Sequence, residues 1–358
     1  VTLFKIASKV SQAIAVTALP IALMTTLPKA ADAASFSKLY AFGDSLSDNG
    51  NVFAATGGKF PPFPYQQRFS NGPVWVEYLA SKLSLPLSDF AFGGATTGTQ
   101  NTIDSAPNVP SLFPGLQQEI QGFIANPQNA DPDGLYVLWA GANDYLPTES
   151  KFFIPFQEPS TTVSNLSSAV TSLFNFGARN ILVANLPDLG KLPLVAKIDQ
   201  QLPGTAQGFN TLAQQHNAAL ATSLSGLSSS LNGINLISFD VNSAFNQVLA
   251  NPGQFGFTNT TDPCVQLDPP SLCPFIPQRP DTFFFWDDIH PTTATHKVIG
   301  DLAFKAIVTK KPIPESSTVV GLLVFGAFLG GRSLRFTKGS LRRKSISKKP
   351  AKVPVGVE

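Results

Sequence analysis

Five short apolar runs recur along the chain, at residues 38–42, 87–92, 135–140, 180–184 and 234–239. Amphipathic stretches at 74–83, 161–176 and 205–227 separate them, and a final helix is expected from Pro291 or Thr292 to about Val308. In the 205–227 stretch Phe209, Leu212, Ala213, His216, Leu220 and Leu224 fall at helical spacing. Buried strands alternating with helices predict an α/β domain with a parallel sheet, because each parallel crossover needs a helix. Each run also stops at a turn: Gly43-Asp44-Ser45, Gly93-Gly94, Gly141-Ala142-Asn143-Asp144, Asn185-Leu186-Pro187-Asp188 and Asp240. Polar loops therefore gather at the carboxyl edge of the sheet, where open α/β folds place their reactive groups.

Three of those turns, with one later segment, carry chemistry. Ser45 follows the first strand. His290 lies in Phe283-Phe284-Phe285-Trp286-Asp287-Asp288-Ile289-His290-Pro291-Thr292. Histidine titrates near neutral pH and can take a hydroxyl proton, provided an acceptor fixes its tautomer. Asp287, three residues earlier, is close enough on one turn to do so; Asp288, one residue along, should point elsewhere. Gly93-Gly94 brings backbone N–H groups close to a substrate, and Asn143 offers a side-chain amide to a developing oxyanion. Taken singly, each of these is an ordinary turn residue. His216 reads as a packed core residue and His296 as packing or capping in the last helix. Three histidines without paired spacing make no metal site, and nothing in the sequence calls for a cofactor.

In chain order the four stretches resemble the motif blocks of the GDSL lipase/esterase family, the SGNH hydrolases. Arg68-Phe69-Ser70-Asn71-Gly72-Pro73-Val74-Trp75, residues 184–190 and residues 255–259 are similar to family sequence as well. The resemblance implies an α/β/α sandwich, flavodoxin-like, with a five-stranded parallel sheet. It implies Ser45 as nucleophile, His290 as base and then acid, and Asp287 as its partner. The oxyanion hole would comprise the N–H groups of Ser45 and Gly94 and the Asn143 amide. Asp89 stands where many members have Asn, outside this set. The Gly-x-Ser-x-Gly elbow of the other serine-esterase fold is absent. The expected activity is cleavage of carboxylic esters, lipid or small, by an esterase or lipase. An acetylesterase acting on acylated glycan and an acyltransferase use the same residues. In another class, a surface- or matrix-binding protein that keeps the fold is the alternative. Aromatic stretches at 112–114, 152–156 and 283–286 either line an acyl pocket or pack the core.

The flanks are read separately. Lys5 and Lys9 precede an apolar stretch and the small-residue site Ala31-Asp32-Ala33, the layout of a secretory signal peptide over residues 1–33. Residues 34–311 are expected to form the hydrolase domain. Residues 312–358 hold Pro314-Glu315-Ser316, then fourteen apolar or small residues from Thr318 to Gly331, then nine Lys or Arg. As a helix that run spans about 21 Å, short of a ~30 Å hydrocarbon core. It resembles the PEP-CTERM sorting signal of Gram-negative bacteria, cyanobacteria among them, which an exosortase cleaves; Ser316 departs from the Pro-Glu-Pro motif. A plain C-terminal membrane anchor is the alternative. Export to the periplasm, cell surface or medium follows from either reading. Between Ala34 and Gly331 lie thirteen basic and twenty-one acidic side chains, a net of −8 that disfavours nucleic acid as a partner. Export also favours a disulfide between Cys264 and Cys273, which are too few for a thiolate metal site.

Overall fold

The computed structural model describes residues 36–103, 113–148, 154–266 and 273–309. The expected signal peptide and C-terminal sorting segment lie outside these residues. Five strands, β1 (Leu39–Gly43), β2 (Leu87–Asp89), β3 (Leu135–Trp139), β4 (Asn180–Ala184) and β5 (Asn235–Phe239), form one parallel sheet in the order β2-β1-β3-β4-β5. Their side chains alternate between two buried layers, as the period of two requires. Leu39, Ala41, Leu135, Val137, Trp139, Leu182 and Ile237 face one layer. Tyr40, Phe42, Tyr136, Leu138, Ile181 and Val183 face the other.

Helices cover both faces. They are α1 (Asn51–Ala55), α2 (Trp75–Leu83), α3 (Leu116–Ile124), α4 (Ala142–Tyr145), α5 (Ser160–Phe176), α6 (Pro193–Gln201), α7 (Thr205–Ser230), α8 (Val241–Ala250) and α9 (Thr293–Thr309). Apolar residues of α2, α8 and α9 fill the first layer, and those of α3, α5 and α7 fill the second. The result is the α/β/α sandwich expected from the sequence. Two further strands, β6 (Asn259–Pro263) and β7 (Phe283–Phe285), pair in parallel beside it.

Local chemistry sets the boundaries. The Glu77 carboxylate accepts the Val74 N–H at 2.8 Å and starts α2, as the acidic half of a capping box does. α9 begins later than expected. Pro291 lies outside it, its place fixed by pairing with Phe285, and the Thr292 hydroxyl accepts the Thr295 N–H at 3.3 Å as the cap. β2 is regular only over Leu87–Asp89, although the Phe90 and Phe92 N–H groups still donate to the Ala41 and Gly43 carbonyls at 2.8 and 3.0 Å and keep the 87–92 run along β1. Segments α1, α3, α4, α6, α8, β6 and β7 were not expected.

The order β2-β1-β3 places successive connections on opposite sides of β1. Loops leaving β1 and β3 therefore diverge and open a crevice at the carboxyl ends of the strands, the switch point at which such sheets bind ligands. Ser45 follows β1 and Asn143 follows β3.

Candidate active site

β1 ends where Gly43 takes φ +142°, and a Cβ there would meet the Trp139 carbonyl oxygen at 2.0 Å. Only glycine lets the chain turn so close to β3. Asp44 then organises one tight turn: its carbonyl accepts from the Ser47 and Asp48 N–H groups at 2.9 and 3.0 Å. Its carboxylate accepts from the Leu46 N–H at 3.0 Å. Ser45 sits on this turn, 7% exposed.

β7 delivers the other two groups. After Phe285 the chain folds back, with the Trp286 N–H on the His290 carbonyl at 2.7 Å. Asp287 Oδ1 accepts the N–H groups of Ile289 and His290 at 2.8 and 2.7 Å. Asp287 Oδ2 lies 2.7 Å from His290 Nδ1, and His290 Nε2 lies 2.8 Å from Ser45 Oγ. The tautomer that fits carries its proton on Nδ1 and accepts the Ser45 hydroxyl at Nε2. Burial works to raise the Asp287 pKa, but the His290 ring and the two amides outweigh it and hold the carboxyl below its ordinary value. Asp287 is thus an anion beside the ring at neutral pH. Asp288 turns away, with both oxygens 2.7 Å from Lys197 Nζ.

The Arg68–Trp75 segment supports the histidine from behind. The Phe69 ring lies 5.3 Å from the His290 ring. The Ser70 hydroxyl donates to the Pro291 carbonyl at 2.9 Å, and Asn71 accepts the Thr293 N–H at 2.8 Å.

The expected oxyanion donors converge on the same place. Gly94 has φ +76°, and a Cβ there would meet Asn101 Oδ1 at 2.5 Å. The Asn143 amide donates once to the Ala95 carbonyl at 3.0 Å, which fixes its plane and leaves its second N–H. Among the described residues, the N–H groups of Ser45 and Gly94 have no protein acceptor. Ser45, Gly94, Asn143 and His290 all line one cleft of about 890 Å³. A separate apolar recess of about 30 Å³ touches Ser45, Asn143, Leu192 and Phe245.

Buried carboxylates hold the loops in register. Asp48 accepts from Gly93 at 2.8 Å and from Gly50 and Asn51 at 2.8 and 2.6 Å, so the nucleophile turn and the glycine block share one anchor. Glu119 takes the Gly43 N–H at 2.9 Å and the Phe92 N–H at 3.2 Å. Asp144 accepts from the Thr97 hydroxyl and N–H at 2.6 and 2.9 Å. Burial raises the pKa of all three, against the pull of those donors. Asp89 accepts the Asn49 N–H at 2.9 Å, a structural tie outside the catalytic set.

Cys264 and Cys273 are joined by a disulfide. His216 is buried, with Nδ1 at 2.9 Å from the Tyr145 hydroxyl, and buried His296 accepts the Trp75 N–H at 3.3 Å. Phe284, Phe285 and Trp286 are core residues, so this stretch does not line an acyl pocket. Leu112, Phe152 and Phe153 lie outside the described residues. The cleft is instead walled in part by Phe60, Phe63, Tyr65 and Phe69, whose proline-rich segment has no periodicity to mark it. Asp48 did carry a signal, an acidic residue just ahead of a short helix. Among the described residues no three His, Cys, Asp or Glu side chains gather to hold a metal ion.

Comparison with known proteins gives a consistent picture. The GDSL-like lipase/acylhydrolase family profile matches residues 39–303. The chain is 28% identical over 313 residues to the phosphatidylcholine-sterol acyltransferase of Aeromonas hydrophila, covering 75% of this chain and 89% of that protein. It is 27% identical over 289 residues to the thermolabile hemolysin of Vibrio parahaemolyticus, covering 74% and 62% of the two chains. A GDSL esterase/lipase of Arabidopsis thaliana is 27% identical over 317 residues, covering 74% and 88%.

Proposed function

The chain belongs to the GDSL-like lipase/acylhydrolase family and is a carboxylic ester hydrolase; from that premise we propose that it is an exported serine esterase or lipase working through an acyl-enzyme on Ser45. The observation that carries the mechanism is the continuous chain of contacts from Asp287 through His290 to Ser45, 2.7 and 2.8 Å long.

Ser45 Oγ attacks the ester carbonyl carbon while its proton passes to His290 Nε2. The carbonyl oxygen becomes an anion facing the N–H groups of Ser45 and Gly94 and the free amide hydrogen of Asn143. Collapse of this intermediate breaks the bond to the alcohol oxygen, which takes the proton from His290. Water then enters, gives a proton to His290, attacks the acyl-enzyme and releases the acid, and the proton returns to Ser45. Asp287 stays ionised throughout and stabilises the imidazolium.

Export is supported by the signal-peptide layout of residues 1–33 and by the Cys264–Cys273 disulfide, a bond typical of oxidising compartments. The Pro314-Glu315-Ser316 segment and the basic tail suit membrane contact and exosortase processing on the way out. An acetylesterase is the second reading, favoured by the apolar recess of about 30 Å³ beside Ser45. That is roughly the size of one water or methyl group, whereas the wide cleft accommodates a large partner.

A fluorophosphonate probe should label wild type and not Ser45→Ala, and turnover should fall by about 10⁴-fold or more in that variant. Labelling of folded Ser45→Ala at the wild-type rate would remove Ser45 from the mechanism. A nitrophenyl ester series from acetate to palmitate, run beside acetylated glycan, separates the substrate readings. Release of glycan acetate alone would overturn the lipase reading.

A further inference from the structure

The Asp287 carboxylate has one partner that does not come from its own turn. Oδ1 serves the N–H groups of Ile289 and His290 and also lies 3.0 Å from His290 Nδ1, while Oδ2 makes the shorter contact to that nitrogen, 2.7 Å. The remaining contact is the Tyr65 hydroxyl, which donates to Oδ2 at 2.7 Å from 222 residues away in sequence. Local amides fix Oδ1 but leave the carboxylate free to tilt at Oδ2. A second donor at Oδ2 removes that freedom, so Oδ2 stays aimed at Nδ1.

Tyr65 is itself held. Its ring stands edge-on to Trp286, with centroids 6.0 Å apart, and packs against the small cluster that Trp286 forms with Cys264 and Cys273. Its N–H donates to the Pro62 carbonyl at 3.0 Å. Burial, and then the neighbouring Asp287 charge, raise the Tyr65 pKa above its ordinary 10. The phenol is therefore a donor at any working pH. Neighbouring Asp288 shows the complementary arrangement, since Lys197 occupies both its oxygens. The two adjacent carboxylates are thus sorted by different partners.

We propose that Tyr65 is a positioning residue for ester hydrolysis, its hydroxyl fixing the Asp287 carboxylate so that Oδ2 holds His290 in the reactive tautomer and orientation. This rests on the Ser45–His290–Asp287 reading above. It acts through Asp287 and not on the substrate, although Tyr65 also lines the cleft.

The test is a double-mutant cycle on a soluble nitrophenyl ester, with kcat and KM measured separately. Tyr65→Phe keeps the ring against Trp286 and deletes only the donor. In the wild-type background it should lower kcat roughly tenfold, with KM changed by less than about twofold, the scale of one hydrogen bond to a charged group. In an Asp287→Asn background the same change should alter kcat by less than about twofold, because the carboxylate it serves is gone. Equal factors in the two backgrounds, or an effect confined to KM, overturn the proposal. So does a Tyr65→Phe protein that fails to fold, since that hydroxyl would then be structural. If Asp287→Asn alone left kcat intact, the reading of the acid would fail instead, and the two failures are distinguishable.

Discussion

At the residue scale, the arrangement makes separable demands on neighbouring positions. Asp287→Asn should cost about 10³–10⁴ in kcat by favouring the wrong tautomer. Asp288→Asn, whose partner Lys197 is half exposed, should cost less than about threefold, as surface pairs do. Steady-state kinetics on both variants decides, and a larger loss at Asp288 would reverse the assignment. Gly94 gives a second contrast. In Gly94→Ala the new methyl would lie 2.5 Å from Asn101 Oδ1 and 2.9 Å from the Ile103 N–H nitrogen at φ +76°. The loop must shift and carry its N–H with it, so kcat should fall about 10²-fold. Gly57→Ala, at φ +66° with nothing within 4 Å, should cost stability and leave kcat unchanged. Ser45, Asp287, His290, Gly94 and Asn143 were legible in sequence because each sits in a short motif beside an apolar run. Tyr65 and Glu119 were not. Their roles exist only through contacts 222 and 76 residues away, and nothing local to Tyr65 or Glu119 announces either.

At the element scale, β7 is the piece on which the acid and base are mounted, and it is short. Its support comes from the neighbouring segment, where the Cys264 and Val265 N–H groups donate to the Phe285 and Trp286 carbonyls at 3.1 and 2.7 Å. The disulfide closes that segment over a separation of nine residues, for which loop closure gives about 2–3 kcal/mol. Replacing both cysteines by serine should therefore lower Tm by several degrees. It should also lower kcat severalfold, because Trp286 and Tyr65 lose the surface they pack on. Calorimetry and kinetics on the double variant check this, and an unchanged Tm would show that the bond adds nothing to the fold. The element map was partly readable for the same kind of reason. Strands β1 and β3 are buried at every position, β4 at all but Asn180, and β5 at Leu236, Ile237 and Phe239, so each spells itself as an apolar run. α6 and α8 are shorter, yet each carried a start signal: Pro193 at the first position of α6, and Asp240 capping α8 through the Ser243 N–H at 3.0 Å. β6 and β7 had no such mark: Asn259–Pro263 is polar and half exposed, and Phe283–Phe285 is a run of three residues, too short to tell from a core segment.

At the scale of the whole molecule, the sheet order gathers loops from β1, β2 and β3 at one crevice, and that gathering buries charge. Burial pushes Asp44 up to about 7 and Asp144 up to about 6, against an ordinary 3.8. Burial also lowers His216 to about 4 and His296 to about 3, against an ordinary 6.5. The two sets act in opposite directions on stability. For the raised carboxyls the folded state binds more protons than the unfolded one. Their contribution is complete below the unfolded value and is lost as pH rises through 6 to 7. For the lowered histidines the folded state binds fewer protons, so their contribution is complete above the unfolded 6.5 and is lost as pH falls towards 4. Between pH 4 and 7 the slopes oppose, with Asp48 and Glu119 adding to the carboxyl side, so each set masks part of the other. His216→Gln unmasks the balance. It removes one acid-sensitive group, and losing the Tyr145 contact lowers stability by an amount independent of pH. The variant should therefore lose less on acidification from pH 7 to 4 than wild type, by up to roughly 3 kcal/mol at the acid end. Denaturant melts at several pH values measure both slopes. Parallel profiles would mean that His216 takes up its proton as readily in the folded protein as in the unfolded chain, and hence that water reaches a side chain the fold buries.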